Sequence, residues 1–130
     1  MKPFIAIVIG ILFTTGLAMQ KVSTSDWSGG AGKTPREIMT DYMAMTYDKG
    51  LGAQAADKYH AKGFVEHAAS MPEAGNGAPL RHEVGMTISE GMNIAIRHKV
   101  AAGRGAPGGD FLDIYRIEKG RITDHWRAAF

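Results

Sequence analysis

An acid, a phenol, an imidazole and a guanidinium fall close together near one end of this chain, as Asp113, Tyr115, His125 and Arg127. They sit in two runs rich in β-branched and aromatic residues that flank Glu118-Lys119-Gly120, a pattern that predicts a β-hairpin. Residues facing each other across such a ladder have Cβ atoms about 4.5–5.5 Å apart, so Asp113 opposite His125 would be within hydrogen-bonding reach. That contact fixes the imidazole tautomer and raises its basicity, making His125 a candidate general base oriented by Asp113. Tyr115 could donate to an enolate-like oxygen. Arg127 stays protonated and cannot take a proton from carbon, but it can grip a carboxylate or oxyanion through two N–H groups. The same residues allow a plainer reading. Asp113 and His125 would be a self-satisfied polar pair, Tyr115 a core aromatic with a polar tip, and Arg127 the neutralising partner of Asp113.

Register decides which side chains share a face, because a slip of one residue inverts the pattern. A two-residue Lys119-Gly120 loop needs positive φ at the lysine. A three-residue loop needs only a type I turn followed by a left-handed residue, for which Gly120 is suited. The three-residue loop is therefore expected, with Asp113 directly opposite His125. Phe111, Tyr115, Thr123 and Arg127 then share their face, and Leu112, Ile114, Arg116, Ile122, Asp124 and Trp126 take the other.

The stretch Asp113-Ile-Tyr-Arg-Ile-Glu-Lys-Gly-Arg-Ile-Thr-Asp-His-Trp126 resembles the hairpin of the SnoaL-like polyketide cyclase branch of the nuclear-transport-factor-2-like superfamily. There the usual form is close to D-I-F-R-x-x-D-G-K-I-x-E-H-W-D. Phe64-Val65-Glu66-His67 is similar to a second family element, Y-I-Q-H-N-P, which makes His67 a candidate ligand-binding residue. The resemblance runs loosely from about Thr34 to Trp126 and implies a cone-shaped α+β fold, with N-terminal helices packed on a curved antiparallel sheet around a small-molecule cavity. It also implies dimerisation through the outer sheet face. The chain departs from the family in three places. Arg127 stands where the cyclases use an aspartate as acid/base, Ala68-Ala69 replaces Asn-Pro, and a Gly/Pro-broken segment around Met71–His82 replaces a helix that helps to wall the cavity. The cyclase mechanism therefore does not carry over intact, and the pocket is expected to be shallower or more open.

The elements that must hold these residues read as follows. Met1-Lys2-Pro3, the apolar run Phe4–Leu17 and the ending Gly16-Leu17-Ala18 describe a secretory signal peptide cleaved after Ala18, and hence a periplasmic or secreted protein. The run is short for a membrane span, which needs roughly 20 apolar residues; an uncleaved anchor is the alternative. Residues 19–33 read as a flexible Gly/Ser-containing leader whose one large apolar group is Trp27, and 34–130 as a single SnoaL-like domain. Thr34-Pro35-Arg36-Glu37 combines a cap, a first-turn proline and a capping-box glutamate, so a helix begins there and ends before Gly50. Its methionines read as adaptable core filler. A second helix spans Ala53–Tyr59, and strands are predicted at Phe64–His67, Val84–Ser89 and Met92–Val100 before the hairpin. Two helices followed by strands argue for an α+β domain.

The chain has no cysteine, which excludes thiol catalysis and disulfides. Net charge is +2 without a basic stripe, so nucleic acid is not an expected partner. The histidines show no metal-ligand spacing and no glycine-rich phosphate loop leads into a helix, so neither metal nor cofactor is expected. Two functions follow. One is a small exported enzyme acting on an apolar carbonyl compound by proton transfer, of cyclase, isomerase or aldol type. The other is a non-catalytic ligand-binding or dimeric scaffold domain with a degenerate pocket. The apolar face of the hairpin predicts a homodimer with Trp126 largely buried and Arg116 and Asp124 nearer the rim.

Overall fold

The computed structural model describes residues 30–71, 73 and 75–130. The signal-peptide and leader expectations for residues 1–29, Trp27 included, lie outside them. Helix α1 (Pro35–Met43) starts at the predicted cap, where Thr34 Oγ1 accepts from Glu37 N at 3.2 Å and Glu37 Oε2 accepts from Thr34 N at 2.9 Å. Such a cap contributes about 1 kcal/mol. The helix continues as a π-helical turn, Ala44–Asp48, closed by Lys49 N donating to Ala44 O at 3.0 Å. Thr46 and Tyr47 of that turn are both buried. Helix α2 (Gly52–Tyr59) runs directly into β1 (His60–Glu66).

Strands β2 (His82–Glu90), β3 (Asn93–Val100), β4 (Gly109–Glu118) and β5 (Arg121–Ala129) form an antiparallel series in one sheet of order β1-β5-β4-β3-β2. The expected all-antiparallel sheet is corrected at one edge, where β1 pairs parallel with β5. It emerges straight from α2 and reaches that edge without a hairpin. Ile38, Met39, Tyr42 and Met43 of α1 pack with Tyr47, Ala55 and Tyr59 onto Ile94, Ile96, Tyr115, Ile117 and Ile122 of the sheet. The methionines at 39 and 43 are core filler, as their spacing implied.

The hairpin register differs from expectation in an instructive way. The loop has two residues, Lys119 (φ 50°) and Gly120 (φ 74°), with Glu118 opposite Arg121. Both left-handed positions of a type I′ turn are thus filled, one by a lysine that this region disfavours. Gly120 is needed twice over, because a Cβ there would also lie 2.8 Å from the Gly30 carbonyl carbon. The pairing then shifts by one: Ile117 faces Ile122, but Arg116 faces Asp124, leaving Thr123 as a bulge. Thr123 Oγ1 donates toward Arg116 O (3.3 Å) and Asp124 Oδ2 (2.8 Å), tying the bulge down. Asp113 therefore lies opposite Arg127, and Tyr115 opposite His125, rather than Asp113 opposite His125. The bulge restores the alternation that a two-residue loop alone would invert. Asp113, Tyr115, His125 and Arg127 consequently still share the inner face, and Ile122, expected outside, joins the core at 0 % exposure.

Candidate functional site

Asp113 is the centre of the inner face and is completely buried. Its neighbours come from both flanking strands. His98 on β3 donates from Nε2 to Oδ2 at 2.5 Å, and His125 on β5 donates from Nε2 to Oδ1 at 2.8 Å. Arg127, directly across the ladder, donates from Nε to Oδ1 at 2.6 Å and from Nη2 to Oδ2 at 2.9 Å. Each carboxylate oxygen thus accepts twice, which fills its lone pairs. Burial works against the anion, but the hydrogen bonds from His125, His98 and Arg127 outweigh it and hold the Asp113 carboxyl well below the usual range. It is an anion with no acceptor capacity left for a ligand.

His125 is held at both ends. Because β1 runs beside β5 with Glu66 in register with His125, Nδ1 reaches both Glu66 oxygens at 2.8 Å while Nε2 reaches Asp113. Burial alone would pull the imidazole down, yet the hydrogen bond to Asp113, the nearby Glu73 charge and the bond to Glu66 push it up to about 8. At neutral pH it is an imidazolium with both N–H groups committed. The Glu66 side chain, 28 % exposed, is where this chain of charges meets solvent.

A second layer lies over the first. Tyr115 stacks on His125 with ring centroids 4.7 Å apart and donates from Oη to Glu73 Oε1 at 2.5 Å. Tyr47, from the π-helical turn, donates to Glu73 Oε2 at 3.1 Å and accepts from Arg127 Nη2 at 3.0 Å. His125 Nε2 is 3.5 Å from Glu73 Oε1. Burial pushes the Glu73 carboxyl up, with the His125 charge opposing, and burial together with Glu73 raises both tyrosines. Glu73 comes from the connection between β1 and β2, whose described residues form no helix. Arg104 pins that connection by donating to the carbonyls of Gly75 (2.8 Å), Ala78 (2.6 Å), Thr46 (3.0 Å) and Tyr47 (3.3 Å).

Of the residues singled out by sequence, Asp113, Tyr115, His125 and Arg127 come together and His67 does not. His67 lies on the outer face, stacked on Trp126 with ring centroids 4.5 Å apart and Nε2 2.9 Å from Asp124 Oδ1. The reason is strand parity: Glu66 turns inward to His125, so its neighbour turns out. His98, Glu66, Tyr47 and Glu73 were missed. The alternation Ile94-Ile96-His98 would have placed His98 inward, and Phe64-Glu66 would have done the same for Glu66. No set of carboxylates and histidines among the described residues is arranged to hold a metal ion.

Beside this cluster, α1 and the β2–β3 edge enclose a cleft of about 400 Å³. Met39, Met43, Val84, Ile94 and Ile96 give it apolar surface, Arg36, Thr40, Asp48 and Thr87 add polar groups, and His82, stacked on Tyr47 at 4.9 Å, also lines it. A cleft of this size suits a small molecule.

The sequence matches no family model and no curated protein. Among solved structures, an NTF2-like protein of unknown function from Cytophaga hutchinsonii superposes with a TM-score of 0.60 at 15 % identity, over 75 % of this chain and 90 % of the other. A protein described as a SnoaL-like polyketide cyclase from Mesorhizobium loti has a TM-score of 0.47 and 24 % identity over 73 % and 98 % of the two chains. The chain has the nuclear-transport-factor-2-like α+β fold.

Proposed function

We propose that this nuclear-transport-factor-2-like domain binds a small, largely apolar molecule in the cleft between α1 and β2–β3, and that its polar centre holds charge in place instead of removing protons from a ligand. One observation carries this reading: all the acceptor capacity of Asp113 is used, and both nitrogens of His125 are gripped by carboxylates. A general base needs a free lone pair aimed at the proton it takes. The degenerate-pocket alternative is thereby favoured over His125 as base. Titrating nitrogen-15-labelled protein with small ketones, from cyclohexanone to an aryl ketone, is expected to move amide signals at Met39, Met43, Val84 and Ile96. Thr40→Trp, which places a ring at the exposed rim of the cleft, should abolish those shifts. Ketones that leave these amides unmoved would remove the reading.

A second reading is favoured by Glu73, whose carboxyl is pushed up by burial beside the Tyr115 phenol, an arrangement suited to proton transfer at a carbonyl compound. It predicts deuterium exchange at the α-carbon of the same ketones in deuterium oxide, faster than in buffer and lost in Glu73→Gln. The binding reading predicts the buffer rate.

The same proposal includes a two-fold homodimer through the outer sheet face. Met86 (55 %), Ile88 (56 %) and Trp126 (37 %) are exposed there beside Leu112 and Ile114, a patch of the kind that marks an interface. Sedimentation is expected to give a dimer at micromolar concentration and a monomer for Trp126→Glu; a wild-type monomer contradicts it. Export through residues 1–18 belongs to this proposal too, and a mature chain that does not begin near Met19 would remove it.

A further inference from the structure

The groups around Glu73 belong to three separate elements: Tyr47 to the π-helical turn, Tyr115 to β4 and His125 to β5. Each is buried to 1 % exposure or less and fixed from behind, Tyr47 by Arg127, Tyr115 by stacking on His125, and His125 by Glu66 and Asp113. Two phenol hydrogens converge on one carboxylate, at 3.1 Å from Tyr47 to Oε2 and at 2.5 Å from Tyr115 to Oε1, while His125, its Nε2 hydrogen given to Asp113, stands 3.5 Å from Oε1 as a nearby positive charge. Only the acceptor is supplied by irregular chain, anchored beyond Glu73 by Arg104 and by Asn76 Oδ1, which accepts from Ala53 N at 2.9 Å. A rigid donor set of this composition does not depend on the acceptor being part of the same chain.

We propose that Tyr47, Tyr115 and His125 form a binding site for a single carboxylate, which the protein fills with its own Glu73, and that a small free monocarboxylate occupies the same position once that side chain is gone. The two phenols supply donors, the Tyr47 oxygen already accepts from Arg127, and the imidazolium adds positive charge, which favours an oxyanion over a neutral amide or alcohol. Planar geometry with two separate oxygens selects a carboxylate over a halide. In the intact protein Glu73 competes as a tethered ligand, at an effective concentration in the millimolar range or above. The site is independent of whatever occupies the apolar cleft.

The test is chemical rescue. Glu73→Ala is expected to unfold at lower temperature than wild type, and to regain most of that loss in acetate or formate but not in chloride at equal ionic strength. The rescue should saturate, with an apparent affinity at least tenfold tighter than any acetate effect on wild type. Glu73→Gln, whose amide fills the space, should show no rescue, and Tyr115→Phe added to Glu73→Ala should weaken it severalfold. If Glu73→Ala does not fold alone, refolding yield in acetate against chloride is the readout. Equal effects of acetate and chloride, or of acetate on variant and wild type, overturn the proposal. So does Glu73→Ala that stays unfolded in acetate. Because no ketone is used, the outcome is separate from the test of the cleft.

Discussion

Asp113→Asn is expected to lose about 3–5 kcal/mol of stability in urea unfolding, the range for breaking a buried ion pair by removing one partner. The side chain is fully buried and takes two N–H groups from Arg127 and one each from His98 and His125. The amide keeps the shape but offers one acceptor oxygen and turns an NH2 group toward a donor. It also removes the carboxylate that takes two N–H groups from the Arg127 guanidinium, 5 % exposed. For a domain of this size the loss is a large fraction of total stability. Adding Arg127→Gln to Asp113→Asn should cost less than the sum of the single changes, because the two side chains share the same hydrogen bonds. A loss below 1 kcal/mol would show that Asp113 is not the hub of the inner face.

The second large effect is on pH dependence. His125 goes from 6.5 to about 8 on folding, so its folded form is raised above the unfolded value. The associated stability is complete below 6.5 and disappears as pH rises through about 8, amounting to about 2 kcal/mol. Glu73, also raised, acts in the same direction from 4.5 upward. Asp113 has the opposite sign: its depressed carboxyl contributes stability above 3.8 that is lost only in stronger acid. Tyr115, stacked on His125, leaves this sign unchanged, since burial raises its phenol well above ten. Unfolding free energy should therefore fall from pH 6.5 to 9, and His125→Gln should flatten that slope while lowering stability at pH 6. An unchanged slope in the variant would contradict the assignment.

Most of the architecture was legible because it depends on local pattern. The Thr34 cap, the Gly50 break and the period-two runs of the hairpin each correspond to an observed boundary. The grouping of Asp113, Tyr115, His125 and Arg127 was legible too, although the register was read wrongly. The face a residue takes depends on parity, and the Thr123 bulge compensated for a turn that Lys119 made look improbable. The two-residue turn sets Ile122 opposite Ile117 in the core, and the bulge after it turns His125 and Arg127 inward, a choice made by tertiary packing that no local propensity encodes. His67 faces outward because the alternation that carries Phe64 and Glu66 inward, and not the family motif, sets its side of the strand. Glu73 had no local signal. It reaches the site through a connection held by an arginine thirty-one positions later, Arg104, and its partners Tyr47 and Tyr115 are aligned only once the π-helical turn and the sheet have met.

The protonation state of His125 tests the central claim most directly, since base catalysis and charge-holding require opposite states of the same ring. Nitrogen-15 chemical shifts of the labelled imidazole, followed from pH 5 to 10, should show Nδ1 and Nε2 both protonated at neutral pH and lose a proton with a midpoint near 8. A neutral ring at pH 7 with one bare nitrogen would contradict the account and return His125 to the role of base.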